Sequence, residues 1–170
     1  GVYRRLIQPG ETLDRLKFSY PAHALVPVIP PALMELDWAL SYWLAFNLLL
    51  VLILPRLALS GRRRFPVMLL LFTPAFAFGL IMGNPAVSVG VCLLAAWGWL
   101  AREDGSPSPA LQITAGALLA WVPIKPQMVS VVFLFLLLIM LKRRQKWAFL
   151  GFGGGVLLLL AAAWILTPGW

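Results

Sequence analysis

The sequence predicts an all-α fold: a polytopic bundle of transmembrane helices with about six spans, several of them short or broken. Three observations predict it. Of 170 residues, 61% are hydrophobic and 12% are charged, with a mean hydropathy of +0.88. A soluble domain is usually about a quarter charged. The apolar residues fall in long runs, and the Lys and Arg residues gather in the short stretches between them. Seven of the eight Trp stand near the ends of those runs, at positions 38, 97, 99, 121, 147, 164 and 170, as interfacial anchors do. Trp43 lies deeper and reads as a packing residue.

Residues 1–36 form an extracytoplasmic arm and a proline-broken interfacial segment. Residues 1–19 are polar and mixed in charge, with Arg4, Arg5, Glu11, Asp14, Arg15 and Lys17 around a Pro9-Gly10 turn. Thr12 is placed to cap a short helix that lays Leu13 and Leu16 on the lipid surface. Pro21, Pro27, Pro30 and Pro31 then forbid one regular transmembrane helix, so a segment dipping irregularly into the protein is expected.

The bundle occupies 37–170, with spans expected at 37–59, 65–82, 85–101, 109–124, 127–141 and 147–166. Pro55-Arg56 and Arg62-Arg63-Arg64 close the first. Pro74 kinks the second, and Gly83-Asn84-Pro85 turns it into the third. The stretch from Arg102 to Pro109 is an exposed loop, and the basic stretch from Lys142 to Lys146 precedes the last span. Several runs are shorter than the ~20 residues a perpendicular helix needs, which calls for tilt, snorkelling or broken helices. Gly79…Gly83 and Gly151…Gly155 have the small-xxx-small spacing of close helix packing. They are not phosphate loops, since no strand precedes them and no Gly-Lys-Ser/Thr follows. Asn47, inside the first span, is expected to hydrogen-bond a neighbouring helix.

The stretch from Ala110 to Leu141 organises the chain. It is two apolar runs separated by Ile124-Lys125-Pro126-Gln127, and Lys125 is its one formal charge. A lysine left in hydrocarbon costs several kcal/mol, so it must sit at a membrane edge or face a wet cavity. Pro126 removes a backbone donor and disfavours helix at Lys125, so the run breaks into two spans there.

Orientation follows from the basic loops. Alternate flanks hold nine Lys/Arg on one side, namely Arg56, Arg62, Arg63, Arg64, Arg102, Lys142, Arg143, Arg144 and Lys146. The other side holds five: Arg4, Arg5, Arg15, Lys17 and Lys125. The first set is expected in the cytoplasm of a cell-membrane (inner or plasma membrane) protein. Tyr20, His23, Asn84, Lys125 and Gln127 then all fall on the extracytoplasmic side at headgroup depth.

Each candidate has a bland reading beside a functional one. Lys125 either snorkels to headgroups or anchors a phosphate, which a compact ammonium meets as a point charge. His23 is a hydrogen-bonded loop histidine or a sugar or phosphate contact. Asn84 shapes its turn or binds a substrate hydroxyl. With one His and one Cys in the chain, no metal site can be built on His/Cys spacing, and Cys92 can form no internal disulfide. Glu11, Asp14, Glu35 and Asp37 are outer and Glu103 and Asp104 inner. None is interior to a span, which argues against a proton-relay transporter. Asp14 and Asp37 are conceivable bases, with loop solvation and helix N-terminal charge as their plain roles. The net charge of +8 fits orientation and contact with membrane lipid; no basic-aromatic surface accompanies it, and nucleic acid is not an expected partner.

The order of these pieces resembles a known family. Phe18-Ser19-Tyr20-Pro21, followed by a proline-rich apolar stretch with Ala39 and Trp43, resembles the F-x-Y-P-P segment of polytopic glycosyltransferases. Gly83-Asn84-Pro85 resembles their G-Q/N turn. The run from Thr114 to Ala120, then Ile124-Lys125-Pro126-Gln127, resembles their A-G…K-P pattern, and Arg143, Arg144 and Trp147 their basic step. Together, over residues 15–170, these are similar to glycosyltransferase family 87, polyprenol-phosphate-mannose-dependent mannosyltransferase-like proteins of the GT-C fold. Ala22 replaces the second proline, and Asn84 the commoner Gln.

The resemblance implies inverting, metal-optional transfer of a hexose, mannose in the family, from a polyprenyl-phosphate donor to a glycan or lipid acceptor outside the cytoplasm. No cofactor beyond the lipid-linked donor is implied. Lys125 would stabilise the departing phosphate. A catalytic aspartate in an outer loop would deprotonate the acceptor. No position matches it, so the base is expected upstream of Gly1: the chain opens without Met or signal peptide and reads as an internal stretch, inactive alone. Two other classes stay open from the residues themselves. One is part of a transporter or channel with Lys125 on its path, for which an inverted repeat would speak. The other is a non-catalytic subunit of a membrane complex.

Overall fold

Proline sets most of the helix boundaries. In the computed structural model, which describes Val26 and residues 29–59, 73–81, 84–102, 105 and 107–166, the regular elements are helical, with no strand among the described residues. A short α1 (Ile29–Ala32) carries Pro30 and Pro31 in its single turn and leads into α2 (Leu36–Ala58). Helix α3 (Pro74–Ile81) starts at a proline, and α4 (Ala86–Leu100) directly follows Pro85. Helix α5 (Pro109–Leu119) has Pro109 at its first position and Ser108 as its N-cap, whose Oγ accepts from Leu111 N at 3.4 Å. A 3-10 turn (Val122–Ile124) separates α5 from α6 (Pro126–Lys142), and α7 (Lys146–Leu166) completes the order. Proline is tolerated at these starts because the N–H it lacks has no intrahelical partner there.

Helix α4 is the axis of the packing. Ser88, Val89, Val91, Cys92, Leu93, Ala95, Ala96, Trp99 and Leu100 are all buried, so it is enclosed on several sides. It packs against α2, α5 and α6. Its small residues allow this: a Cβ at Gly98 would lie 2.6 Å from the Ala58 carbonyl oxygen, so α2 and α4 meet backbone to backbone there. The facing stripe of α2 is Asn47, Val51, Pro55 and Ala58, at spacings of four, four and three.

The closest pairing is α5 with α7. A Cβ at Gly116 would strike the Ala148 carbonyl oxygen, and one at Gly151 the Ile113 carbonyl oxygen. A Cβ at Gly155 would lie 2.7 Å from the Ala120 Cβ, whereas Gly153 and Gly154 have open space. The Gly151…Gly155 spacing is thus a packing face, and Gly116 is its counterpart on α5. Gly83 lies outside the described residues.

Helices α2 and α7 are long and apolar enough to cross a membrane. Only 22% of the apolar window in α2, and 17% of that in α7, is buried, so both show apolar surface along most of their length. Leu40, Leu44, Leu52, Leu157, Leu158 and Ile165 are exposed along them. Helix α4, with 15 residues, rises ~22 Å, short of the ~30 Å hydrocarbon thickness.

Two side chains differ from expectation. Trp99 is no interfacial anchor: it is buried, and its Nε1 donates to Leu57 O at 3.2 Å, tying α4 to the end of α2. Asn47 Nδ2 donates to Trp43 O at 2.9 Å in its own helix, not to a neighbour. The carbonyl one turn earlier satisfies Nδ2 locally, while the buried Oδ1 has no hydrogen-bond partner among the described residues. Thr12, Pro21, and the arginines at 62, 63 and 64 lie outside the described residues.

Gly116→Ala and Gly151→Ala should each destabilise the protein by ~1–3 kcal/mol through overpacking against backbone. Gly153→Ala and Gly154→Ala should be neutral or stabilising by up to ~1 kcal/mol. Thermal unfolding of the four variants in one detergent checks the contrast; equal effects would dismiss the packing assignment.

Candidate functional site

The break predicted at Lys125 is present, and its geometry is that of a residue before proline. Lys125 has φ −135° and ψ 66°, outside the helical region, and its N–H closes the 3-10 turn by donating to Val122 O at 3.1 Å. Pro126 then begins α6. The aliphatic stem of Lys125 leaves this corner half-buried, and its Nζ donates to Asn84 Oδ1 at 2.7 Å.

Asn84 arrives from the other side of a 41-residue separation. Its backbone N–H donates to Gly79 O at 2.9 Å, holding it at the end of α3. Its Oδ1 accepts a second bond, from Ala86 N at 3.0 Å, which shapes the start of α4. Turn-shaping and partnership with the lysine therefore coexist in one oxygen. An amide oxygen has two lone pairs, so with both occupied the amide is held with Nδ2 as its remaining hydrogen-bonding group.

A second pair supports the first. Ser88 is fully buried in α4; its hydroxyl donates to Pro85 O at 2.9 Å and accepts from Trp121 Nε1 at 3.3 Å. Trp121 precedes the 3-10 turn that delivers Lys125. Two cross-links thus fasten the start of α4 to the connection between α5 and α6. Ile124 and Val89, both buried, pack together beneath them.

Two helix starts meet at this corner. Helix α4 begins beside Asn84 and α6 begins immediately after Lys125. Helix starts carry unpaired N–H groups and the positive end of the helix dipole. Two such ends and one ammonium meet here. Glu35 and Asp37, at the start of α2, are both exposed, with Asp37 in the first turn where a negative charge suits the dipole.

Of the predicted site residues, the structure brings Lys125 and Asn84 together. Gln127 has its backbone in the first turn of α6, and its side chain is outside the described residues, as are Tyr20 and His23. Ser88 was not anticipated, and Trp121 was read only as an interfacial anchor. Their signal was spacing: Ser88 stands four residues after Asn84 and Trp121 four before Lys125, one helical turn from each partner.

A helical bundle with two helices long and apolar enough to cross a membrane, and a Lys125–Asn84 contact joining two helix starts, suits a membrane protein. The family is specific. A sequence model of glycosyltransferase family 87 matches residues 18–170, and the chain belongs to that family. Membership indicates glycosyl transfer, with a sugar donor and an acceptor as substrates. No curated protein and no solved structure matches the chain.

Asn84→Ala should weaken the fold by ~1.5–3 kcal/mol, the range for a hydrogen bond to a charged group. In a double-mutant cycle with Lys125→Met the two effects should fall short of adding, by ~1 kcal/mol. Strict additivity in chemical unfolding would mean that the contact contributes nothing.

Proposed function

We propose that the chain is the polytopic membrane domain of a glycosyltransferase that moves a hexose, mannose being the first candidate, from a polyprenyl-phosphate donor to an acceptor outside the cytoplasm. The observation that carries this reading is the Lys125–Asn84 contact at the shared start of α4 and α6. It gives a fixed cation and two helix N-termini at the edge of an apolar bundle, where the phosphate of a lipid with its tail in the bilayer would lie. Family membership supplies the sugar-transfer chemistry.

Family membership supplies the overall reaction, and Lys125 takes one role in it. A carboxylate base takes the proton of the acceptor hydroxyl. The freed oxygen attacks the anomeric carbon as the bond from that carbon to the phosphate oxygen breaks, with inversion. The electron pair of the broken bond stays on polyprenyl phosphate, whose negative charge grows through the transition state. Lys125 acts there as an electrostatic stabiliser, held by Asn84 so that it needs little reorganisation. A lysine ammonium has three donors, so one bond to Asn84 does not exclude others to phosphate oxygens. The remaining polar candidates, Tyr20, His23 and Gln127, belong to the sugar or acceptor in this reading. The basic ends of the helices face the cytoplasm of the cell membrane, and the Lys125 corner faces away from it.

Lys125→Met should reduce transfer from a polyprenyl-phosphate hexose by ~10²-fold, the usual cost of one preorganised donor. Lys125→Arg should retain part of the activity, because the charge persists while the point-like fit is lost. Radiolabelled sugar transfer in membranes containing the full-length protein measures both. Unchanged turnover in Lys125→Met would sink the assignment.

A further inference from the structure

The opposite end of α6 carries a second cationic cluster, with different chemistry. In the turn between α6 and α7, Lys142, Arg143, Arg144 and Lys146 occur within five residues. They are not equivalent. Arg143 is committed to the fold: its Nη1 donates to Leu100 O at 3.1 Å and to Arg102 O at 2.6 Å. Gln145, buried, donates from Nε2 to Leu100 O at 3.1 Å. Together they close the C-terminal end of α4. Lys142, Arg144 and Lys146 are exposed, and among the described residues no carboxylate pairs with them. Arg144 has φ 52°, a left-handed conformation uncommon for a residue with a side chain. Lys146 stands at the first position of α7, where the helix dipole disfavours a cation.

Three exposed like charges in one tight turn repel each other, and an anion relieves them. The flanking residues say which anion. Leu138 and Leu141 precede the cluster and Leu150 follows it by one turn, all exposed. The Trp147 ring is partly exposed, with Lys146 Nζ 5.6 Å from its centroid. A soluble anion or a nucleic acid has no use for that apolar collar. A lipid fits both parts, its phosphate on the cations and its chains along the leucines. We infer that this turn binds the headgroup of an anionic phospholipid, with Lys142, Arg144 and Lys146 meeting the phosphate and Trp147 at the headgroup boundary. The site is separate from the Lys125 corner, because Lys125 precedes α6 and Lys142 ends it.

The test is thermal unfolding of the full chain in phosphatidylcholine nanodiscs with and without phosphatidylglycerol. Phosphatidylglycerol should raise the midpoint of the wild type. A Lys142→Gln/Arg144→Gln/Lys146→Gln triple variant should lose that increment. Arg143→Gln should lower the midpoint in both lipids yet keep the increment, since its role is structural. An increment retained by the triple variant overturns the site, as does an equal increment from inorganic phosphate in phosphatidylcholine alone. Should the triple variant not fold, native mass spectrometry of the Lys142→Gln/Lys146→Gln double variant decides. Fewer retained phosphatidylglycerol molecules than the wild type support the site, and the same number overturns it.

Discussion

An ammonium between two apolar helices has to be met by oxygen, and this requirement organises the functional end of the molecule. Lys125 cannot continue the helix, because Pro126 follows it, and it cannot retreat into the bundle, because Ile124 and Val122 beside it are buried among apolar side chains. It reaches sideways to Asn84. That contact is possible only because α3 ends and α4 begins at the same level, and the Trp121–Ser88 bond one turn away holds the two connections in register. A single lysine thereby couples the break between α5 and α6 to the turn between α3 and α4.

Backbone proximity makes that register possible. At Gly98, Gly116 and Gly151 there is no room for a Cβ between neighbouring helices. In lipid, where apolar side chains gain little by leaving the solvent, such close approach supplies much of the packing attraction. The three glycines lie at the α2–α4 and α5–α7 contacts, on either side of the axis helix. They fix the separation of the scaffold, and the polar corner is assembled on top of it.

Much of this was legible in the chain. Lys125 announced its break by being one charge in a long apolar stretch followed by proline, and the Gly151…Gly155 spacing announced a packing face. The pairing of Lys125 with Asn84 was foreseen only as an expectation that both lie on one side of the bundle. Their contact spans 41 residues and depends on how α4 and α5 lie together, which no local pattern encodes. Trp99 shows the limit of reading by position. A tryptophan near a helix end sits at an interface or turns inward to bond the next helix, and the choice rests on which face of α4 meets α2. Asn47 shows the same limit, since its Nδ2 takes a carbonyl of its own helix and its Oδ1 is left without a partner among the described residues.

The two ends of α4 answer opposite needs of one helix. Its last carbonyls want donors, and Arg143 and Gln145 supply them to Leu100. Its first N–H groups want acceptors, and Asn84 supplies two: Oδ1 to Ala86 N, shared with the Lys125 ammonium, and its backbone oxygen to Val87 N. Each end is thus met by groups brought from later in the chain: Arg143 and Gln145 at the last carbonyls, and Lys125, through Asn84, at the first N–H groups. A structural cap would have been an acid or a neutral oxygen with no lysine attached. An ammonium set beside a helix start adds charge of the sign the dipole already has, so the Asn84 oxygen that meets it offsets a local cost. A lysine held at a helix start by the same side chain that shapes that start is what sets the Lys125 corner apart.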